Sequence, residues 1–185
     1  MYFIQMKTHY ITSLNMGTLA GLLSYGLYMG LYAMGLSPML NWRYLGIWIP
    51  ILFIFLAIRT VKKNIPAGEM NFQHAFYTGF TTSFVMSSLK GILVYLTIMW
   101  TGEGIIDQYF DQLNTLLNEA KKRGETIPLL PANYEDFRNQ LNATSVGMME
   151  FNMQLIGGAI LSVILAFIMK SPKKKVSNTE NEITS

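Results

Sequence analysis

Four apolar runs, each long enough to cross a lipid bilayer as a helix, leave this sequence few folds to choose from. A hydrocarbon core about 30 Å thick takes roughly 20 helical residues at 1.5 Å each. The runs cover about 11–36, 44–61, 74–101 and 148–169, and the charged residues collect between them. Only 14% of the chain is charged, against about 25% in a typical soluble domain. The expected fold is an all-α membrane protein with four transmembrane helices and an amphipathic extracytoplasmic helical loop between spans three and four. One membrane domain is expected over 1–172, with a disordered cytoplasmic tail at 173–185. Pro50 falls inside the second run, where a kink is tolerable because neighbouring helices can satisfy the freed carbonyl. The first run, at roughly 25 residues, exceeds the 7–15 of a signal-peptide core, and a retained span is expected.

Orientation follows from the cations. With the amino terminus inside, the inner segments hold Lys7, Arg59, Lys62, Lys63, Lys170, Lys173, Lys174 and Lys175. The outer segments hold Arg43, Lys121, Lys122, Arg123 and Arg138. Four of those five share a loop with seven acids, leaving it at net −3. Both termini are therefore expected in the cytoplasm. The net charge of +3 reads as this inside bias, and no nucleic-acid partner is expected. Trp42, Tyr44, Trp48 and Trp100 fall at the outer ends of spans two and three, where indole and phenol rings favour the headgroup level.

The outer loop, 102–147, repeats Ile106, Tyr109, Phe110, Leu113, Leu116, Leu117 and Ala120 at three- and four-residue steps, the pattern of an amphipathic helix. Gly124 can cap it. After Pro131 a shorter helix is expected, with Asn133 as its N-cap. Asn142-Ala143-Thr144 has the form of a glycosylation acceptor and reads as a spacer.

Lys90 is the residue that most needs an explanation. It lies about 15 Å below the outer end of its span if helical. A lysine there costs about 2.5–3.5 kcal/mol on insertion scales, so it should face protein or water and have a partner. Glu150 and Gln154 on the fourth span, and Tyr25 and Tyr28 on the first, are the candidates. The result is either a polar cavity or a single structural contact. The inner half of the third span carries Thr78, Thr81, Thr82, Ser83, Ser87 and Ser88, which suit helix packing or a solute path. Ser13, Gly17, Gly21 and Ser24 share one face of the first span; Gly26, Gly30 and Ala33 share the opposite one. Gly158 and Ser162 repeat the spacing on the fourth. Small residues let helix backbones approach closely, so these faces suit an internal neighbour or a second subunit.

Cysteine is absent and histidine limited to His9 and His74, while nearly all carboxylates fall outside. No metal, cofactor or catalytic cluster is expected. The chain is expected to act without catalysis, through helix packing or protein partners in the bilayer, including its own copies. The alternative is a small transporter or channel subunit using the polar third span.

From Ala57-Ile58-Arg59 through Lys62-Lys63-Asn64 to Gly68-Glu69-Met70-Asn71-Phe72-Gln73-His74-Ala75-Phe76-Tyr77-Thr78-Gly79, the sequence resembles a bacterial membrane family known as domain of unknown function 4199. Phe72, Ala75, Phe76 and Gly79 fill its Phe-x-x-Ala-Phe-x-x-Gly pattern; His74 stands where a small or polar residue is usual. The resemblance covers about residues 12–170. It implies two spans, a basic inner turn, a third span, a helical outer loop and a fourth span in an inner membrane, with no assigned activity.

Overall fold

The computed structural model describes residues 2–65, 70–124 and 134–171. The turn at Pro66 and Gly68, the Asn133 cap and the tail from 173 lie outside them. Six α-helices occur among the described residues: α1 (Tyr2–Ala33), α2 (Trp48–Asn64), α3 (Phe72–Thr101), α4 (Gly104–Lys122), α5 (Tyr134–Gln140) and α6 (Ala143–Met169). A 3-10 turn, Asn41–Gly46, leads into α2.

Among the described residues, three segments are long and apolar enough to cross a membrane: Trp42–Asn64, Phe72–Thr101 and Ala143–Met169. Helix α1 is as long, but Gly17, Gly21, Gly26 and Gly30, with Tyr25, Tyr28 and Tyr32, dilute its apolar content.

Local chemistry sets the ends of these helices. Helix α1 stops where Gly35 takes φ +76°. There Leu36 N–H donates to Leu31 O and Gly35 N–H to Tyr32 O, the paired bonds of a Schellman turn. Asn71 caps α3 by accepting from His74 N–H at 2.8 Å. Asn142, expected as a spacer, caps α6. Its side chain accepts from Ser145 N–H at 3.0 Å, and Ser145 Oγ accepts from Asn142 N–H at 2.8 Å. That reciprocal pair is a capping box.

Small and polar side chains share the bundle interior with apolar ones, and large apolar side chains also face outward. Inward on α1 lie Ser13, Gly17, Ala20, Gly21 and Ser24, while Leu19, Leu22 and Leu23 face out. Helix α6 turns Ile156, Ile160, Ile164 and Phe167 outward and buries Gly158, Ser162 and Ala166. Outward apolar faces of this extent suit lipid, since large apolar patches are rare on soluble surfaces.

Small residues set the helix spacing. Helices α3 and α6 run antiparallel along a seam where Gly91 meets Gly147 O and Phe151, Gly158 meets Ser83, and Gly79 meets Ser162. A Cβ on any of these glycines would come within about 3 Å of its neighbour or closer. Helix α1 runs parallel to α3, with Gly17 against Thr82 O and Val85, and Gly21 against Met86 O and Leu89. Gly26 and Gly30 meet nothing within 4 Å. Of the two small-residue faces on α1, one is an internal contact and the other is open.

At one end of the bundle, Ile105, Ile106 and Phe110 of α4 pack with Val94, Ile98, Val146 and Tyr28. Gln112 of α4 bridges the α1 terminus, accepting from Ser37 N–H at 2.9 Å and donating to Gly35 O at 2.6 Å. At the other end, Ser171 N–H donates to Met70 O at 2.8 Å and Lys62 Nζ to Met169 O at 2.7 Å.

Candidate functional site

The α3–α6 seam is interrupted by charge. Lys90 and Gly91 are adjacent on α3, and Glu150 and Phe151 on α6, so the register that seats Gly91 on Phe151 also brings Lys90 to Glu150. Lys90 Nζ lies 2.7 Å from Glu150 Oε2. The other carboxylate oxygen, Oε1, accepts from Arg43 Nη2 at 3.1 Å. Glu150 is 3% exposed, Lys90 16% and Arg43 24%. The expected partnership of Lys90 with Glu150 is present, and Arg43 makes it a triad.

Arg43 stands on the 3-10 turn, which doubles the chain back over the end of the bundle after Ser37-Pro38. Ser37 and Met39 are buried there, and this anchors the turn beside α6.

The other sequence candidates contribute differently. Lys90 Nζ sits 5.5 Å from the centre of the Tyr28 ring, a cation–π contact. Gln154 is not a ligand of Lys90: its amide donates to Ser24 Oγ on α1 at 3.2 Å. One turn of helix, about 5.4 Å, separates it from Glu150, and α1 offers the nearer acceptor. Tyr25 instead bonds Thr97 Oγ1 at 2.6 Å. Because Thr97 Oγ1 donates to Leu93 O, Tyr25 is the donor of that pair.

A cavity of about 310 Å³ adjoins the triad. Ser24, Tyr28, Arg43, Lys90, Glu150 and Gln154 form its polar part. Leu27, Leu31, Ile47, Ile51, Met153 and Leu161 form the apolar part. Ile47, Ile51 and Met153 are exposed, so the cavity opens sideways between α2 and α6. Two buried polar atoms beside it, Tyr28 OH and Gln154 Oε1, lack hydrogen-bond partners. Burying such a group unpaired costs about 1–3 kcal/mol.

The cavity does not continue along α3. Three hydroxyls of that helix turn to their own backbone: Thr78 bonds His74 O, Thr82 bonds Thr78 O and Ser87 bonds Ser83 O, each at 2.8 Å. Ser83 closes on Gly158 at the cavity wall, and farther along Gly79 closes on Ser162 and Ile54.

The remaining motif residues lie at the far end. Ala75 is buried with Ile58, Val61 and Ala166, and Phe72 and Phe76 pack against this cluster. The Phe72 ring lies 4.6 Å from that of Phe167. The motif is thus a helix-crossing device joining α2, α3 and α6, with Gly79 at the crossing.

A family model described as "Protein of unknown function (DUF4199)" matches residues 15–171. The chain belongs to this family. Its matched region takes in the whole triad, the cavity and the Phe72–Gly79 motif. No curated protein and no solved structure matches the chain.

Sequence reasoning missed two features. One is the place of Arg43 in the triad, since its position at a span end speaks only to orientation; the other is the meeting of His9 and His74, which lie far apart in sequence. Their rings stand 5.5 Å apart, and His9 Nδ1 lies 3.4 Å from Thr78 Oγ1. Burial, and then the charge of His74, holds the His9 imidazole below its ordinary value. A parallel α1–α3 register would have predicted the pairing.

Proposed function

We propose that this DUF4199 member is a four-span protein of a bacterial inner membrane, with both termini cytoplasmic, that acts by binding at the Arg43–Glu150–Lys90 cavity and not by catalysis. The parallel register of α1 and α3 supports a fourth crossing. Contacts run from His9–His74 near one end to Tyr25–Thr97 near the other, so α1 traverses most of the thickness that the apolar α3 does. Its outward face of Leu19, Leu22 and Leu23 suits lipid. Of the small residues that dilute it, Gly17 and Gly21 point at α3.

The observation that carries the binding reading is a charged triad beside an open cavity with two polar atoms unpaired. A purely structural lysine would need one partner and no space. Tight packing beneath the cavity supports binding over conduction.

The chain has no cysteine, so single-cysteine variants report cleanly. Reporter tags at residues 40, 66, 120 and 180 should alternate outside, inside, outside, inside. Gln154→Cys should react with an anionic methanethiosulfonate reagent added from outside, and Ser83→Cys from neither side. Reaction of Ser83→Cys from the cytoplasmic side would replace binding with a through-path. Silence at both positions would remove the site altogether.

A further inference from the structure

We infer that the cavity holds the headgroup of a monoanionic amphiphile drawn from the outer leaflet. The inference rests on the binding reading above and supplies its ligand class.

Charge is the first ground. Two cations face one carboxylate, so the cluster retains one positive charge. Both carboxylate oxygens are already engaged, one by each cation. A guanidinium carries five N–H donors and an ammonium three, so both cations keep donors to spare. An uncompensated charge at this depth is costly, and an anion in the cavity would neutralise it.

The unpaired groups are the second ground. Tyr28 is 3% exposed, and its hydroxyl lines the cavity with no partner. A phenol donor, a guanidinium and an ammonium converging on one space suit phosphate or carboxylate oxygens, through charge-assisted bonds. The buried Gln154 Oε1 adds an acceptor that a headgroup hydroxyl would satisfy.

The third ground is the apolar wall, which a soluble anion would leave unused. Gly157 on the cavity rim meets nothing within 4 Å, and exposed Ile47, Ile51 and Met153 border the opening. From Glu150 to Leu161 the wall follows α6 for about 16 Å at 1.5 Å per residue. Arg43 stands beside Trp42, Tyr44 and Trp48, all exposed, the composition of a headgroup-level aromatic belt. An acyl chain would therefore run along the wall toward mid-bilayer from a headgroup at Arg43.

The test uses the full-length chain in detergent, with native mass spectrometry reading retained lipid. The probes are dioleoylphosphatidylglycerol, dioleoylphosphatidylcholine and free glycerol phosphate. Phosphatidylglycerol should bind at least about tenfold more tightly than phosphatidylcholine. Arg43→Gln, which leaves Lys90 paired to Glu150, should abolish that preference. Tyr28→Phe keeps the buried ring, so it should fold normally and weaken phosphatidylglycerol binding severalfold. Equal retention of the two lipids, no retention of either, or a preference untouched by Tyr28→Phe would overturn the inference. So would glycerol phosphate competing as well as the lipid, which would make the cavity a soluble-anion site. Loss of lipid preference with Gln154→Cys still labelled from outside would reject the ligand class and leave the binding site standing.

Discussion

Replacing Glu150 with glutamine tests whether the triad is a desolvated network. The substitution keeps the shape and leaves Lys90 and Arg43 facing a neutral amide. Breaking a buried ion pair by removing one partner costs about 3–5 kcal/mol. Two features reduce that here. Lys90 and Arg43 are 16% and 24% exposed, so both cations reach some solvent, and the amide oxygen still accepts one bond. The expected loss is about 2–3 kcal/mol, a roughly 30- to 150-fold fall in the folded-to-unfolded ratio at about 1.4 kcal/mol per tenfold. Lys90→Met should cost less, about 1–2 kcal/mol, because Glu150 keeps Arg43 at 3.1 Å. The triple variant Arg43→Gln, Lys90→Met, Glu150→Leu should return to within about 1 kcal/mol of the parent, since apolar replacement of a whole buried cluster is often neutral. SDS titration in mixed micelles, followed by far-ultraviolet circular dichroism, gives the midpoints. A Glu150→Gln protein within about 0.5 kcal/mol of the parent would refute the reasoning, as would a triple variant worse than every single one.

Gly158→Ala should cost about 1–3 kcal/mol, because the new methyl overlaps Ser83 on the packed α3 helix and neither helix can move away freely. Gly26→Ala, with nothing within 4 Å, should be neutral or gain up to about 1 kcal/mol from helix propensity. The same titration compares them, and equal effects would disprove the seam. The His9–His74 pair should make stability depend on pH. The unfolded chain takes up a proton below about pH 6.5, the ordinary histidine value, while the folded His9 resists it. Stability should be flat above that pH and fall as pH drops through the lowered folded value, and His9→Gln should flatten the curve.

The sequence reported its architecture through features that act locally. Run length, charge placement and the three- and four-residue steps of α4 each depend on neighbours within a few residues. Lys90 announced a need for a partner because a buried ammonium is costly wherever the chain goes, and Glu150 was visible as the acid within a span. Arg43 was not, because 107 residues separate it from Glu150 and a short turn, not a helix, delivers it. A cation at a span end satisfies the orientation rule so well that nothing prompted a second role. The stripes on α1 show the same limit. Gly17 and Gly26 follow one spacing rule, yet one is covered and the other open. Periodicity tells which residues share a face, and only tertiary register tells which face is met. Asn142 was legible in principle: an asparagine three residues before Ser145 at the start of an apolar run is a capping pattern.

Helix α1 ties the fold to the site. Mean hydropathy treats every position alike, although in a bundle only the lipid-facing side must be apolar. Two groups of the small and polar residues on α1 meet the rest of the bundle. Gly17 and Gly21 let it approach α3 closely. Ser24 and Tyr28 wall the cavity, Ser24 holding Gln154 and Tyr28 lying under Lys90. The first group sets how near α1 comes to α3, and that distance decides whether the Tyr28 ring can cover the lysine. A wholly apolar α1 would leave Gln154 without Ser24 and the cavity without its phenol. The polar residues of α1 are therefore placed where the triad needs a wall.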